Sequence, residues 1–443
     1  MEGRHRRDPR DRLSPRSGLV HVVRSPYHVG GVELRHFSLE RYKGYARRVE
    51  VELAPLTILV GPNNSGKTAL AQAAPLLAGG LTPSDADPLE PLPLESYGIR
   101  HGDTFDDLVT GRVVHGQLRL SITLGDENGE SSLSATVTNV VAPGRTAERQ
   151  ISEWRLQSND REIVADRQGF GETPDYRITP PGESPDVRPI AWQGLLPKQP
   201  HTLPDWIGPP LDALARWAAG VRHLRCPRRL LPSPFRAAER PPANIGPDGR
   251  DTPLALAADD ALRESVRDWY RETFGVRIDL VAQGSYLDLV TGTPLRDDDV
   301  RIGQAGRGLS HVLPVAVAAL SARRAGPGVD IIEHPEAELH PAAHADIAEL
   351  LLEHLAGRER PLIVETHSEM ILLRARRWVA EGRLPAGQVL VYWIHTEPGR
   401  GSLLEKIGIR ENGEMETWPD GVFIEDYEEI LAIRRAARGR VQA

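Results

Sequence analysis

The segment GPNNSGKT, residues 61–68, constrains the fold of this chain more than any other feature. It matches the pattern G-x-x-x-x-G-K-[ST], in which glycines let the backbone wrap so that successive N–H groups point at phosphate oxygens. The apolar run Leu56–Val60 precedes it, and the helix-forming run TALAQAAPLLAGG follows its lysine. A short, wholly apolar run is typical of a central strand covered on both faces. The sequence therefore predicts a strand–loop–helix unit that binds nucleotide phosphates.

Two residues of this loop have distinct expected roles. Lys67 is expected to reach the β- and γ-phosphates, and the Thr68 hydroxyl to ligate Mg²⁺. The positive end of the following helix faces the same anion. The predicted ATP-binding residues are Gly61, Pro62, Asn63, Asn64, Ser65, Gly66, Lys67 and Thr68.

Three further motifs lie in the last third of the chain. In VDIIEHPEAELHP, residues 329–341, an apolar strand ends at Glu333, which we expect to organise Mg²⁺ beside the phosphates. In PLIVETHSE, residues 361–369, a strand delivers His367 to the same sheet edge, where it can contact the γ-phosphate or the attacking water. The third motif, IGQAGRGLSHVLPV, places several glycines before a helix that begins near Leu309.

Composition narrows the class of protein. The net charge of -8 gives no chain-wide basic field for nucleic acid. Cys226 is the only cysteine, so internal disulfides and cysteine zinc cages are excluded, which fits a reducing cytoplasm. No run approaches the roughly 18 apolar residues that a membrane-spanning helix needs. We expect a cytoplasmic protein with no membrane partner.

The four motifs, in this order, resemble the RecF/OLD-like and SMC-like AAA family ATPases, which share the ABC head fold. GPNNSGKT resembles their Walker A loop, VDIIEHPEAELHP their Walker B strand and D-loop, ETHSE their switch-histidine segment, and GQAGRGLSHVLP their signature motif. The segment ENGEMETWPDGVFIEDYEEI resembles a C-terminal domain of unknown function that accompanies many of them. The resemblance implies an α/β P-loop fold of the ABC head type, with a mixed or parallel sheet flanked by helices, a β-rich N-terminal lobe and a loop-rich insertion.

This resemblance, together with local patterns, gives an expected domain organisation. Residues 111–141 alternate as in a β-hairpin, residues 174–253 are dense in proline, and strand–helix alternation returns after residue 301. No heptads for long coiled-coil arms occur. The expected units are a disordered basic arm at 1–30, a first ATPase lobe with Walker A at 31–110, an insertion with a β-hairpin and a proline-rich, helical part at 111–300, a second lobe with the other motifs at 301–380, and C-terminal strands and a helix that complete the head at 381–443.

The resemblance also implies a homodimer in which each signature motif caps the ATP of the other protomer. Gly306, Gly308 and Ser310 would then act in trans. The family usually follows the Walker B acid with a Glu or Gln that positions the attacking water, and here that place is His334. A neutral histidine can accept a proton, and Glu336 is a second candidate base, so the expected hydrolysis is slow.

Three functions remain open on the sequence. The first is an ATP-hydrolysing switch that dimerises and controls a partner effector, as in bacterial anti-phage defence ATPases. The second is a repair-type DNA-binding head, and the third is a non-hydrolysing ATP sensor or scaffold, motivated by His334. Nuclease activity is not expected, because the acidic run at 425–429 is helix-like. The arginines that could contact nucleic-acid phosphates in the second case are Arg222, Arg225, Arg228, Arg229 and Arg236.

Overall fold

The fold is described from a computed structural model of the 443-residue chain. The described residues are 32–82, 90–126, 129–140, 148–169, 175–231, 233–236, 242, 244–292, 299–321, 326–353, 355, 360–417 and 433. The predicted arm at 1–30 and the acidic run at 425–429 lie outside these ranges.

Strands and helices alternate only in part of the chain. The strands are β1 (Glu33–Glu40), β2 (Val49–Glu52), β3 (Leu56–Val60), β4 (Glu95–Ser96), β5 (Ile99–Arg100), β6 (Gln117–Asp126), β7 (Gly129–Val140), β8 (Glu148–Ser158), β9 (Arg161–Arg167), β10 (Asp175–Thr179), β11 (Asp186–Pro189), β12 (Trp192–Gln193), β13 (Leu196–Pro197), β14 (Arg222–Leu224), β15 (Arg277–Gln283), β16 (Tyr286–Gly292), β17 (Val300–Arg301), β18 (Asp330–Glu333), β19 (Leu362–Glu365), β20 (Val389–Glu397) and β21 (Gly401–Gly408). The helices are α1 (Lys67–Ala71), α2 (Ala73–Leu81), α3 (Gly208–Ala219), α4 (Thr252–Ala258), α5 (Asp260–Phe274), α6 (Arg307–Leu320), α7 (Pro341–Glu353) and α8 (Glu369–Ala380). Within the described ranges, no helix combines the length and apolar character that a membrane crossing requires.

A six-stranded sheet carries the phosphate-loop strand in its interior. Its order is β14-β18-β19-β3-β20-β21, and all strands run parallel except the edge strand β21. The carboxyl ends of β18, β19 and β3 therefore meet at one edge of the sheet. β19 lies between the other two, so that Glu365 pairs in register with Glu333 on one side and Leu59 on the other.

Burial on both faces explains why β3 is wholly apolar. Side chains alternate between the faces of a strand. Leu59 packs into a core cluster that also contains Leu76 of α2 and Leu214 of α3. Ile58 and Val60 belong to a second cluster, formed largely by helices α4–α8. The predicted α/β architecture, a mixed sheet flanked by helices, is confirmed.

A second, antiparallel sheet has eight strands in the order β11-β10-β9-β8-β7-β6-β1-β2. The hairpin predicted within 111–141 is present as β6 and β7, and it continues through β8–β11. Trp154 of β8 is fully buried and its Nε1–H donates to the carbonyl of Leu195 at 2.9 Å. The β-rich lobe therefore extends well past the predicted hairpin.

The proline-dense segment holds more regular structure than its composition predicts. It contains the twelve-residue helix α3, in which Pro209 and Pro210 occupy the first turn, where a missing N–H costs no hydrogen bond. It also supplies β14, the edge strand that pairs with β18. Residues 222–224, which were expected in the insertion, thus form a strand of the same six-stranded sheet as β3.

Candidate nucleotide-binding site

The phosphate loop turns sharply between β3 and α1. Gly61 has a φ of 152° and Gly66 a φ of 108°, both in the region that favours glycine. A Cβ atom on Gly61 would lie 2.0 Å from the carbonyl oxygen of Ile394 in β20, so only glycine fits. Asn64 also has a positive φ, 61°, which asparagine tolerates better than most residues. The loop has the wrapped backbone that phosphate binding requires.

Lys67 lies folded over this loop. Its Nζ donates to the carbonyl oxygens of Gly61 at 3.0 Å and Pro62 at 2.8 Å, and the residue is 4% exposed. Burial lowers the pKa of Lys67, against an opposing effect of the Glu365 charge. The ammonium group therefore lies against the backbone carbonyls at the start of the phosphate loop.

The antiparallel sheet supports the loop from outside. Tyr45, in the turn after β1, is fully buried, and its hydroxyl donates to the carbonyl of Gly66 at 3.0 Å. The neighbouring carbonyl of Gly44 accepts from the N–H of Ser402 in β21 at 2.8 Å. The sequence motifs did not identify Tyr45, because its link to the loop depends on tertiary structure.

Glu333 ends β18 as predicted, but both of its carboxylate oxygens are engaged. Oε1 accepts from His223 Nε2 at 2.8 Å and from Gln72 Nε2 at 3.5 Å. Oε2 accepts the backbone N–H of Cys226 at 2.9 Å. Burial favours the neutral acid, but these hydrogen bonds hold the pKa of Glu333 below its ordinary value.

Glu365, which no sequence motif indicated as a site residue, is the acid in contact with the phosphate loop. It is the last residue of β19 and is 1% exposed. Thr68 Oγ1 donates to its Oε1 at 2.7 Å. Burial, and then the charge of Glu333, raise the pKa of Glu365. The Thr68 hydroxyl is thus engaged by Glu365, and the expected metal role of Thr68 together with Glu333 stays a prediction.

His334 has an unusual backbone and a crowded ring. Its φ is 41°, a left-handed value that is uncommon for a histidine. The ring stacks on His367, with centroids 4.9 Å apart and planes 5° from parallel. Its Nε2 lies 3.6 Å from Glu365 Oε1 and its Nδ1 3.8 Å from Glu336 Oε1. Burial works against a charge on this ring, but the surrounding carboxylates outweigh it and raise the pKa of His334.

Glu336 ties the D-loop to the switch segment. Its Oε1 accepts the backbone N–H of His367 at 2.9 Å. Burial opposes its ionisation, but the contact with His334 and backbone hydrogen bonds hold the pKa of Glu336 low. Partial desolvation of the ring, and then the charge of Lys67, lower the pKa of His367. The four candidate catalytic residues (Glu333, His334, Glu336 and His367) thus lie at one sheet edge, and their roles stay predictions.

The signature segment begins helix α6. Gly306 and Arg307 are exposed at its start, and a Cβ on Gly308 would lie 2.7 Å from the carbonyl oxygen of Glu338 in the D-loop. Ser310 is 1% exposed, and its Oγ has no hydrogen-bond partner among the described residues. Its burial does not support the predicted contact with a second protomer, whereas Gly306 is accessible.

The arginines considered for nucleic-acid contacts differ in their exposure. Arg228 is 4% exposed, and its Nη2 donates to the carbonyls of Glu333 at 2.5 Å and His334 at 3.1 Å. Arg236 lies over the ring of Tyr286. Arg228 is therefore an internal support of the Walker B segment, and its burial does not support the alternative in which it contacts nucleic acid.

The site fits Mg²⁺–nucleotide better than a metal alone. Within the ranges that the structure describes, no three His, Cys, Asp or Glu side chains form a cluster that could hold a metal ion. Mg²⁺ usually binds through one or two carboxylates together with substrate phosphates and waters. The hydroxyl of Thr68 and the carboxylate of Glu365 would each supply one oxygen beside the phosphates.

Comparisons with solved structures return SMC head domains. One is the SmcHead bound to the C-winged helix domain of ScpA, with 13% identity and a TM-score of 0.48, over 86% of this chain and 98% of that one. The SMC head domain from Thermotoga maritima has 13% identity and a TM-score of 0.39, over 84% and 98%. The Smc head domain with an extended coiled coil, bound to the C-terminal domain of ScpA derived from Pyrococcus furiosus, has 11% identity and a TM-score of 0.47, over 91% and 100%. Similarities at this level do not identify a function.

A match to a protein family is more direct. No curated protein matches the chain. Residues 56–374, well over half of the chain, match the family described as "AAA domain, putative AbiEii toxin, Type IV TA system". The matched region begins with β3 and includes the phosphate loop, the signature helix, Glu333 and Glu365. The protein therefore belongs to this family of AAA domains, whose P-loop fold supports ATP binding.

Proposed function

We propose that the protein is a slow ATPase that binds Mg²⁺–ATP at Gly61–Thr68 and dimerises face to face to control a partner protein. The observation that carries the proposal is the convergence of Lys67, Thr68 and buried carboxylates at one sheet edge. Bound Mg²⁺ would neutralise charge on the phosphates during transfer of the γ-phosphoryl group to water. Lys67 would hold phosphate oxygens, and the protein's carboxylates would orient the water.

Slow turnover follows from the residue after Glu333. His334 stacks on His367 and lies between two carboxylates, which favour its charged form. A raised pKa lowers the fraction of neutral imidazole, the form that accepts a proton from water, and so weakens His334 as a general base. Glu336 shares one oxygen with the His367 backbone and is partly committed to holding the switch segment.

The setting that we propose is bacterial defence, in which ATP binding switches an effector. The family description, which refers to a toxin of a type IV toxin–antitoxin system, supports a two-component arrangement. The accessible start of α6, at Gly306 and Arg307, offers a surface for a second protomer's nucleotide.

Gel filtration and phosphate release, each with and without ATP, test this proposal on the full chain. We expect the wild type to elute as a dimer with ATP and to release phosphate, and Lys67→Ala to do neither. A wild-type chain that stays monomeric at saturating ATP would rule out the face-to-face dimer.

A non-hydrolysing sensor is the second candidate, and the position of His334 favours it. In that case wild-type phosphate release equals that of Lys67→Ala, while ATP-dependent dimerisation occurs in the wild type alone. The two measurements therefore separate the switch from the sensor.

A further inference from the structure

Two buried acids end neighbouring strands beside the phosphate loop. Glu333 and Glu365 are register partners at the ends of β18 and β19. β19 pairs directly with β3, whereas β18 is one strand further away. Because adjacent strands lie about 4.8 Å apart, the backbone of Glu365 is one spacing from the loop strand and that of Glu333 is two.

The two acids differ in what their oxygens already bind. Glu333 accepts hydrogen bonds on both oxygens, from His223, Gln72 and the N–H of Cys226. Glu365 accepts only on Oε1, from Thr68, and its Oε2 has no hydrogen-bond partner among the described residues. Glu365 is also 1% exposed, so this oxygen is shielded from water. A buried carboxylate oxygen without a partner is costly, and a cation would stabilise it.

We infer that Glu365, rather than Glu333, is the carboxylate that works with Thr68 to hold the Mg²⁺ of bound Mg²⁺–ATP. Glu333 instead anchors β14 through His223 and the segment after β14 through Cys226. The inference rests on the proposed function, because it is ATP that brings the metal to this edge.

The geometry of the pair suits a small, hard cation. Mg²⁺ takes octahedral oxygen ligands at 2.0–2.1 Å, which places neighbouring ligand oxygens about 2.9 Å apart. Thr68 Oγ1 and Glu365 Oε1 are 2.7 Å apart. Replacing their hydrogen bond by a shared cation therefore needs little movement of either side chain.

The test compares nucleotide affinity with and without the metal. The full chain is titrated with the fluorescent analogue mant-ATP in Mg²⁺ and in EDTA, and the ratio of the two Kd values measures the metal's contribution. For Glu365→Gln we expect this ratio to fall about tenfold, the scale of losing a metal-site partner. Its affinity in EDTA should equal or exceed that of the wild type, since a negative charge beside the phosphates has gone.

Glu333→Gln is the matched comparison, with the same change of charge one strand away. We expect it to lower the melting temperature, because its contacts with His223 and Cys226 change, but to keep the metal ratio within about twofold of wild type. If Glu365→Gln does not fold, Glu365→Asp and Glu333→Asp replace the pair, with the larger loss of ratio expected in Glu365→Asp.

The outcomes separate this inference from the proposed function. A wild-type chain that binds no mant-ATP overturns both. A second outcome overturns only the inference: the wild type binds mant-ATP in a metal-dependent way, the ratio of Kd values falls in the Glu333 variant, and it is unchanged in the Glu365 variant. The metal ligand would then be Glu333.

Discussion

At the scale of single residues, the site depends on positions where the surrounding atoms leave no room for another side chain or leave a buried group with one donor. Gly61 and Arg228 illustrate the two kinds of constraint. Gly61 has no room for a Cβ beside Ile394, and Arg228 is enclosed with its guanidinium on two backbone carbonyls. Each constraint can be tested by a substitution, and a similar residue elsewhere in the chain serves as the control.

Replacing Gly61 by alanine should abolish ATP binding. A φ of 152° in a residue with a Cβ costs about 1–3 kcal/mol, and the contact with Ile394 forces the loop to move as well. Gly387→Ala is the control, because a Cβ there meets nothing within 4 Å. Affinity for mant-ATP and urea unfolding measure both variants; unchanged affinity in Gly61→Ala would contradict the loop geometry.

Replacing Arg228 by alanine should destabilise the protein rather than weaken a nucleic-acid contact. The carbonyls of Glu333 and His334 would lose a buried donor, at a cost of about 1–3 kcal/mol for an unsatisfied group. Arg229 is exposed, and its alanine variant should stay within about 0.5 kcal/mol of wild type. Urea unfolding distinguishes them; equal stability of the two variants would mean that Arg228 does not support β18.

Glu365 is a site residue that the local sequence patterns did not predict. The sequence identified Lys67, Thr68 and Glu333 because each follows a known local pattern. Glu365 is adjacent in sequence to Thr366 and His367, but its contact with Thr68 arises only because β19 inserts between β18 and β3. Strand order is a property of long-range pairing, so no local motif reports it.

At the scale of elements, periodicity predicted the buried parallel strands and the helices between them. β3 matches its expected bounds, Leu56–Val60, because a strand covered on both faces must be apolar throughout. No prediction covered strands β8 and β9, and β10 and β11 lie in the proline-dense segment 174–253, whose composition indicates loops. β8 pairs with β7, and β9, β10 and β11 follow in turn, so the neighbouring strand stabilises each of them.

The double coverage of β3 predicts a large cost for shortening a single side chain. Ile58 is fully buried in the helical cluster, so Ile58→Ala should lower the free energy of unfolding by about 2–5 kcal/mol. Val187 of β11 is 53% exposed, and Val187→Ala should change it by less than about 0.5 kcal/mol. Chemical denaturation measures both; a small effect of Ile58→Ala would mean that this face of β3 is loosely packed.

At the scale of the whole molecule, the phosphate loop and the exposed start of α6 belong to different parts of the head. In the proposed dimer, each protomer contributes one of them to each composite site. Variants that damage one part alone should therefore complement each other when mixed.

Mixing Lys67→Ala with Arg307→Glu tests this arrangement. Each variant alone should form no ATP-dependent dimer, because the first lacks the phosphate contact and the second puts a negative charge against the partner's phosphates. The mixture should recover a dimer with one working site, seen by gel filtration with ATP, since Arg307→Glu keeps its own loop. Arg271→Glu, on the exposed face of α5, is the charge-matched control and should dimerise as the wild type does. No recovery in the mixture would contradict a site shared between protomers.

The Tyr45 hydroxyl on the carbonyl of Gly66 has a consequence that reaches beyond the loop. It joins the phosphate loop to the eight-stranded sheet, whose strands β1 and β2 flank that tyrosine. Free-energy coupling between two sites is reciprocal. A molecule that binds this sheet and shifts Tyr45 would therefore change the nucleotide affinity by the same factor by which nucleotide changes that molecule's affinity for the sheet.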